Sequence, residues 1–187
     1  DRVQPLCEHF GLCGGCSLQH MNTDAQIVAK QQTLIDQLQH MTGAPPAEIL
    51  APLRGPIWGY RHKARLGVKF VFKKNKVLVG FREKAESLLA ELTHCKVLHA
   101  SVGEKLEDLG LLIMGMAARS TIPQIEVAVS DNVTALIIRH LEPLNEDDQK
   151  KLSLFAQQHN IHIYLQPGGP ASVHPLWPAQ PDVLQYK

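Results

Sequence analysis

The placement of four cysteines constrains this chain more than any other feature of its sequence. Three of them lie in one short loop, at Cys7, Cys13 and Cys16, and the fourth, Cys95, follows 79 residues after Cys16. A loop that supplies three thiolates, with a distant residue supplying the fourth, is the ligand layout of a cubane iron–sulfur cluster. Glycines that let the loop turn tightly around an inorganic core stand at Gly11, Gly14 and Gly15.

Other groups could explain four cysteines. A Cys₄ zinc site is the nearest alternative, but it ordinarily uses two C-x₂-C pairs, and Cys95 has no such neighbour. Disulfides are less favoured, because a chain of 187 residues can build a core without covalent staples and shows no secretory signal pattern. The spacing favours an iron–sulfur cluster and leaves zinc as the alternative.

Several other segments accompany the cysteine loop. The order is Cys7-x₅-Cys13-Gly-Gly-Cys16-Ser-Leu-Gln-His20, Gly59-Tyr-Arg-x-Lys-Ala-Arg-Leu66, Val79-Gly-Phe-Arg82, Cys95, and Gln166-Pro-Gly-Gly-Pro170 ahead of Val173-His174. This series resembles the bacterial 23S ribosomal RNA (uracil-5-)-methyltransferases of the RlmD (RumA) type, in the class I RNA m5U methyltransferase family. The resemblance covers essentially the whole chain, and the cysteine loop is its most specific part.

The resemblance implies a cytoplasmic, monomeric enzyme that transfers a methyl group from S-adenosylmethionine to uracil C5 in 23S ribosomal RNA. It implies no membrane association. It also implies a 4Fe-4S cluster as a cofactor, with the four cysteines as its ligands. Sister enzymes that modify transfer RNA lack the cluster, so the cysteines favour a ribosomal RNA substrate.

The chemistry of that family predicts what this chain lacks. In the family a cysteine thiolate adds to uracil C6, and a carboxylate later removes the C5 proton. Here all four cysteines are assigned to the cluster, and no glycine-rich strand-to-helix turn offers a methyl-donor pocket. The small N-terminal barrel common in this subfamily is absent as well. We therefore expect no catalytic residue in this chain, which would be inactive alone, with S-adenosylmethionine bound by a catalytic domain outside it.

The chain is thus predicted to be the central, cluster-bearing and RNA-recognising domain of such an enzyme. Two alternatives remain open from the sequence. One is a stand-alone iron–sulfur module for RNA binding or electron transfer, and the other is a zinc-stapled interaction domain.

The distribution of charge is more informative than its sum. The formal net charge is only +1, yet residues 49–82 contain nine Lys or Arg and no Asp or Glu. Such asymmetry creates a local positive field even when the total is near zero. No apolar run approaches the length of a membrane span.

A strand in this basic segment is the candidate RNA-binding element. Residues 60–72 alternate with period two, which places apolar side chains on one face and cations on the other. RNA recognition uses rows of cations for phosphates and aromatic side chains for unpaired bases. The alternative is a solvated face that binds nothing. The predicted contacts are Arg61, Lys63, Arg65 and Lys69 in the row, Lys73, Lys74 and Lys76 at the hairpin tip, and Trp58 and Tyr60 for stacking.

Hydrophobic periodicity and turn signals predict an α+β fold. We expect a largely antiparallel sheet with two or three helices on one face, preceded by an iron–sulfur loop and a helix. Helices are predicted at 24–42, 99–118 and 146–160, the first with an apolar stripe in the core. Strands are predicted at 60–72, 77–82, 87–92, 124–129, 133–139 and 161–165, followed by a turn-rich loop at 166–181. The predicted regions are a cluster loop at 1–22, a helical arm at 23–43 and an RNA-binding central domain at 60–187.

Overall fold

One six-stranded sheet organises the chain, in the order β2-β1-β3-β4-β5-β6. The computed structural model describes residues 1–186, so that Lys187, the last residue of the predicted central domain, lies outside the described residues. Every neighbouring pair of strands is antiparallel except β4 and β5. The predicted α+β class and its largely antiparallel sheet are confirmed.

The strands are β1 (Lys63–Val71), β2 (Lys76–Gly80), β3 (Gln124–Val129), β4 (Thr134–Arg139), β5 (His162–Gln166) and β6 (His174–Trp177). The α-helices are α1 (Thr23–Thr42), α2 (Ala100–Gly103), α3 (Leu106–Met114) and α4 (Glu146–His159), and short 3₁₀ turns span Phe72–Lys74 and Pro170–Ser172. Within the described part of the chain, no helix is long and apolar enough to cross a membrane.

The core lies between one face of the sheet and helices α3 and α4. Alternating residues of β1 point inward, among them Leu66 and Val68, opposite Ile125 of β3. Asp148 near the start of α4 is 1% exposed, and its carboxylate accepts the backbone N–H groups of Ala117 and Ala118 at 2.8 and 3.0 Å. This pairing satisfies a buried charge and fixes α4 against the end of α3.

Local signals predicted most of these elements. Asn22 caps α1 by accepting the N–H of Ala25, and Asn145 caps α4 by accepting the N–H of Asp148. The hairpin of β3 and β4 turns within residues 130–133, as the Asp131-Asn132 pair indicates.

Three predicted elements were wrong. Residues 87–92 form only an isolated bridge, between Leu89 and Arg82, and the Leu89 side chain packs over Gly67 of β1. The predicted helix at 99–118 is divided into α2 and α3 by Glu104 and Lys105. The predicted loop at 166–181 contains β6, a short edge strand whose Pro175 masked the signal.

Helix α1 also departs from the prediction that its apolar stripe lies in the core. No residue of this 20-residue helix is buried. Leu34 is 57% exposed, Met41 is 83% exposed, and Ile27 and Ile35 are only half-buried, so the stripe does not lie in the core. Periodicity correctly predicted the helix but not what covers it.

We expect α1 to be the least protected helix of this chain in hydrogen exchange. Helices in water gain most of their stability from packing an apolar face, and this one has no fully buried residue. Amides of residues 27–42 should exchange orders of magnitude faster than those of β3 and β4 when followed by mass spectrometry. Equal protection of α1 and α4 in the isolated, monomeric chain would contradict this expectation.

Candidate metal centre and nucleic-acid interface

All four cysteines line one cavity. Cys7, Cys13, Cys16 and Cys95 line one small cavity of about 20 Å³. None of the four is in a disulfide, and each is half-buried. The fold therefore brings Cys95 to the three thiols of residues 7–16, although 79 residues separate it from Cys16.

Backbone hydrogen bonds hold the cysteine loop, residues 7–16, against the segment that follows β2. The N–H of Gly14 donates to the carbonyl of Arg82 at 2.9 Å, and the N–H of Lys84 donates to the carbonyl of Leu12 at 2.8 Å. On the other side of the cavity, the N–H of Cys95 donates to the carbonyl of Gly103 at 2.7 Å. Both walls of the cavity are thus fixed by the main chain.

Close contacts explain why two positions near the cysteines are glycine and carry no side chain. A Cβ at Gly15 would lie 3.3 Å from the ring of Phe81 and 3.4 Å from the sulfur of Cys13. A Cβ at Gly103 would clash with the carbonyl oxygen of Cys95. Sequence analysis overlooked Phe81, although it lies in the quoted Val79-Gly-Phe-Arg82 segment.

Burial and hydrogen bonding act in opposite directions on the thiols. Burial raises the pKa of Cys13 and of Cys95, and the neighbouring cysteines raise both further. Backbone N–H groups lower these pKa values, that of Gly15 at Cys13 and those of Val97 and Leu98 at Cys95. Such N–H groups stabilise a thiolate once a metal replaces the proton.

The spacing of the possible metal-ligand atoms is a further feature of the cavity wall. With Zn–S bonds of about 2.3 Å, a tetrahedral zinc site brings its sulfurs to about 3.8 Å from one another. Among residues 1–186, the side chains of Glu8, His9 and His94 form the only set of three with ligand atoms all within 4.8 Å. No three cysteines of residues 1–186 meet that limit.

Two histidines form part of the same wall. The rings of His9 and His94 lie 5.2 Å apart and both border the cavity. Thr93 joins them, since its N–H donates to His9 Nε2 at 3.3 Å and its hydroxyl lies 3.1 Å from His94 Nδ1. Burial lowers the pKa of His9, with Glu8 opposing and His94 adding to the shift.

The basic strand presents a charged face opposite the helices. Lys63, Arg65 and Lys69 are exposed along β1, while the alternate residues are buried or half-buried. The pairing register adds Gln124 and Arg139 to the same face, which we call the open face. Sequence analysis did not include Arg139 among the cations of this face, because the strand that carries it is otherwise apolar. The register of the β3–β4 hairpin could have placed it there.

Ion pairs engage three of the seven predicted cations, one in the row and two at the hairpin tip. Glu126 pairs with Arg65 at 3.1 Å, and Glu91 pairs with Lys74 at 2.7 Å and Lys76 at 2.8 Å. Hydrogen bonds from Lys74 and then Lys76 lower the pKa of Glu91 to about 2. Both acids lie outside the acid-free window in sequence. Among the described residues, Lys63, Lys69 and Lys73 form no ion pair.

Arg61 lies elsewhere than predicted. It precedes β1, is half-buried and directs its guanidinium to the cysteine loop rather than to the open face. Trp58, half-buried, and Tyr60, exposed, line a groove of about 970 Å³ together with Arg61 and with residues 15–19, at the end of the cysteine loop and just after it. The two predicted aromatic residues therefore lie beside the cysteine loop and not in line with the lysines.

The chain matches no family model. Its sequence does match curated proteins along its length. A protein of Alcanivorax borkumensis is 52% identical over 186 residues, which is 100% of this chain and 42% of that protein. A protein of Nitrosococcus oceani is 55% identical over 180 residues, 96% of this chain and 40% of that protein. Both are named 23S rRNA (uracil(1939)-C(5))-methyltransferase RlmD.

The fold is shared with a solved structure as well. The Pyrococcus abyssi tRNA (uracil-54, C5)-methyltransferase, in complex with S-adenosyl-L-homocysteine, superposes with a TM-score of 0.57 at 19% identity. The match covers 99% of this chain and 40% of that one. Along nearly its whole length this chain is similar to the RlmD proteins, of whose length it spans about two fifths.

Proposed function

We propose that this chain is the cluster-binding and RNA-recognising domain of a 23S rRNA uracil-C5 methyltransferase that uses S-adenosylmethionine. One observation carries the proposal: four free thiols from distant parts of the chain line a single cavity. Relatives at about 50% identity, named for this activity, support the choice of enzyme. The donor pocket and the nucleophile are assigned to the part of such an enzyme that lies outside this chain.

Cys7, Cys13, Cys16 and Cys95 would hold a 4Fe-4S cluster. When bound, the cluster supplies four metal–thiolate bonds that join the N-terminal loop to the body of the domain; methyl transfer itself consumes no electrons. The N–H groups of Gly15, Val97 and Leu98 stabilise the thiolates, and the aromatic ring of Phe81 closes the cavity on one side.

RNA would bind on the open face. Lys63 and Lys69 there, with Lys73 at the hairpin tip, are cations without an acidic partner in the described part of the chain. Trp58 and Tyr60, in the neighbouring groove, would stack on unpaired bases. The two surfaces meet where residue 61 leads into β1.

Metal analysis tests the cluster assignment. Anaerobic expression, followed by iron and sulfide determination and a visible absorption spectrum, should give four iron and four sulfide per chain. Stoichiometric zinc without sulfide would instead favour the zinc-stapled domain. Reversible reduction at a mild potential, coupled to a partner protein, would favour an electron-transfer module.

We expect the 187-residue chain alone neither to bind S-adenosylmethionine nor to methylate RNA. In this proposal the thiols are committed as metal ligands, so none remains to attack uracil C6. Calorimetry with S-adenosylmethionine and a tritium-transfer assay on a 23S rRNA fragment would measure both properties. Methylation by the purified, cluster-loaded chain would contradict the division of roles between the two parts of the enzyme.

A further inference from the structure

We infer that Arg61 is a positioning residue for the metal centre and not an RNA contact. The inference rests on the proposed cluster. It starts from the mismatch between the predicted and observed positions of this side chain. In a period-two strand Arg61 would share the open face with Lys63, but the strand begins only at Lys63.

The main chain first fixes where Arg61 lies. Its N–H donates to the carbonyl of Val97 at 2.8 Å, and its carbonyl accepts the N–H of His99 at 3.1 Å. The preceding Gly59 N–H donates to the carbonyl of Lys96 at 2.9 Å. Residues 59–61 therefore run beside the segment that follows Cys95.

The guanidinium then reaches the cysteine loop. Its Nη2 donates to the carbonyl of Gly15 at 3.5 Å, and its Cζ lies 5.4 Å from the centre of the Phe81 ring. Phe81 is the ring that a Cβ at Gly15 would meet. A cation over an aromatic face is attracted by the ring quadrupole, more strongly where water is partly excluded.

Arg61 thus joins three segments that supply or support ligands. These are the turn that contains Gly15 and Cys16, the segment after β2 that carries Phe81, and the segment after Cys95. A fixed positive charge beside the loop also favours the more negative, reduced state of a thiolate-bound cluster. Groups that orient metal ligands contribute to affinity although they touch no metal.

The test compares Arg61→Met with Arg65→Met in the anaerobically loaded chain. Arg65 is the matched control, since it is an exposed arginine nearby that pairs with Glu126 instead of the cysteine loop. We expect Arg61→Met to lose the cluster absorption in air about tenfold faster than wild type. The reduction potential of its cluster should be more negative. Arg61→Lys, which keeps the charge, should restore much of the potential, and Arg65→Met should change neither property.

RNA binding separates this role from phosphate contact. An arginine that neutralises one phosphate contributes about 0.7 to the salt slope on a single strand, so Arg61→Met in loaded protein should leave that slope unchanged. If Arg61→Met does not fold, Phe81→Leu removes the ring under the guanidinium and should reproduce the faster cluster loss. If the variants kept the wild-type cluster lifetime and reduction potential, or if Arg61→Met lowered the salt slope, the positioning role of Arg61 would be overturned. The proposed cluster would not be affected by either result. Wild-type protein without iron and sulfide would overturn the proposed function itself.

Discussion

Cys95→Ser is expected to release the N-terminal loop and to lower the melting temperature of the iron-loaded chain by roughly 10 °C or more. In the proposed cluster Cys95 would be the ligand that joins the cysteine loop to the rest of the domain, across 79 residues from Cys16. By analogy with a disulfide that closes a loop of this length, the cross-link stabilises the fold by on the order of 4 kcal/mol. Differential scanning calorimetry and limited proteolysis would measure the loss.

The apo wild-type chain is the control for that experiment. Without iron it carries no cross-link, so it should melt together with the apo variant, and residues 1–22 should be cleaved equally fast in both. The isosteric serine keeps the backbone contacts of position 95, including the bond to Gly103. A variant shown to have lost its iron, yet with the melting temperature and protease resistance of loaded wild type, would exclude a stabilising role for the cluster.

Much of the fold could be predicted because its signals are local. Asn145 ahead of three acidic residues marks the start of α4, and Asp131-Asn132 between two β-branched runs marks the hairpin of β3 and β4. Both signals depend on neighbouring residues alone. The edge strand β6 was missed since its Pro175 is tolerated only at a sheet edge, and the edge position itself is a tertiary property.

The apolar stripe of α1 shows a different limit. Leu34, Leu38 and Met41 indicate a helix that can bury one face, but periodicity does not say whether the partner belongs to the same stretch of chain. The relatives are more than twice as long as this chain. Sequence predicted the element correctly and its packing wrongly.

The candidate site also has one part that the sequence predicted well and one part that it did not. The cysteine spacing was sufficient to group four residues that the fold brings to one cavity, because few other groups explain three thiols in a loop and one far away. The charge window was less reliable. It counted cations along the chain, whereas Glu91 and Glu126 approach them through the fold. Electrostatic neutralisation of this kind is invisible until strand pairing is known.

Lys63→Gln combined with Lys69→Gln should weaken RNA binding strongly while leaving the fold intact. These two lysines are exposed on the open face and carry no ion pair in the described part of the chain. Each lost phosphate contact removes about 0.7 counterion on a single strand, so the log–log salt slope should fall by about 1.4. At moderate salt this corresponds to a loss of affinity of roughly tenfold or more.

A matched pair of substitutions tests whether RNA binding depends on the position of the positive charges or only on their total. Lys105→Gln with Lys150→Gln removes the same charge from the helical side of the sheet, at the start of α3 and within α4. Fluorescence anisotropy with a 23S rRNA fragment, measured between 50 and 300 mM salt, should show the drop for the open-face pair alone. The melting temperature of both pairs should stay near wild type, because the apolar face of β1 is unchanged. Equal salt slopes for the two pairs of substitutions would mean that the open face is only solvated and that RNA contacts this chain elsewhere. The groove at Trp58 and Tyr60 would then be the next surface to mutate.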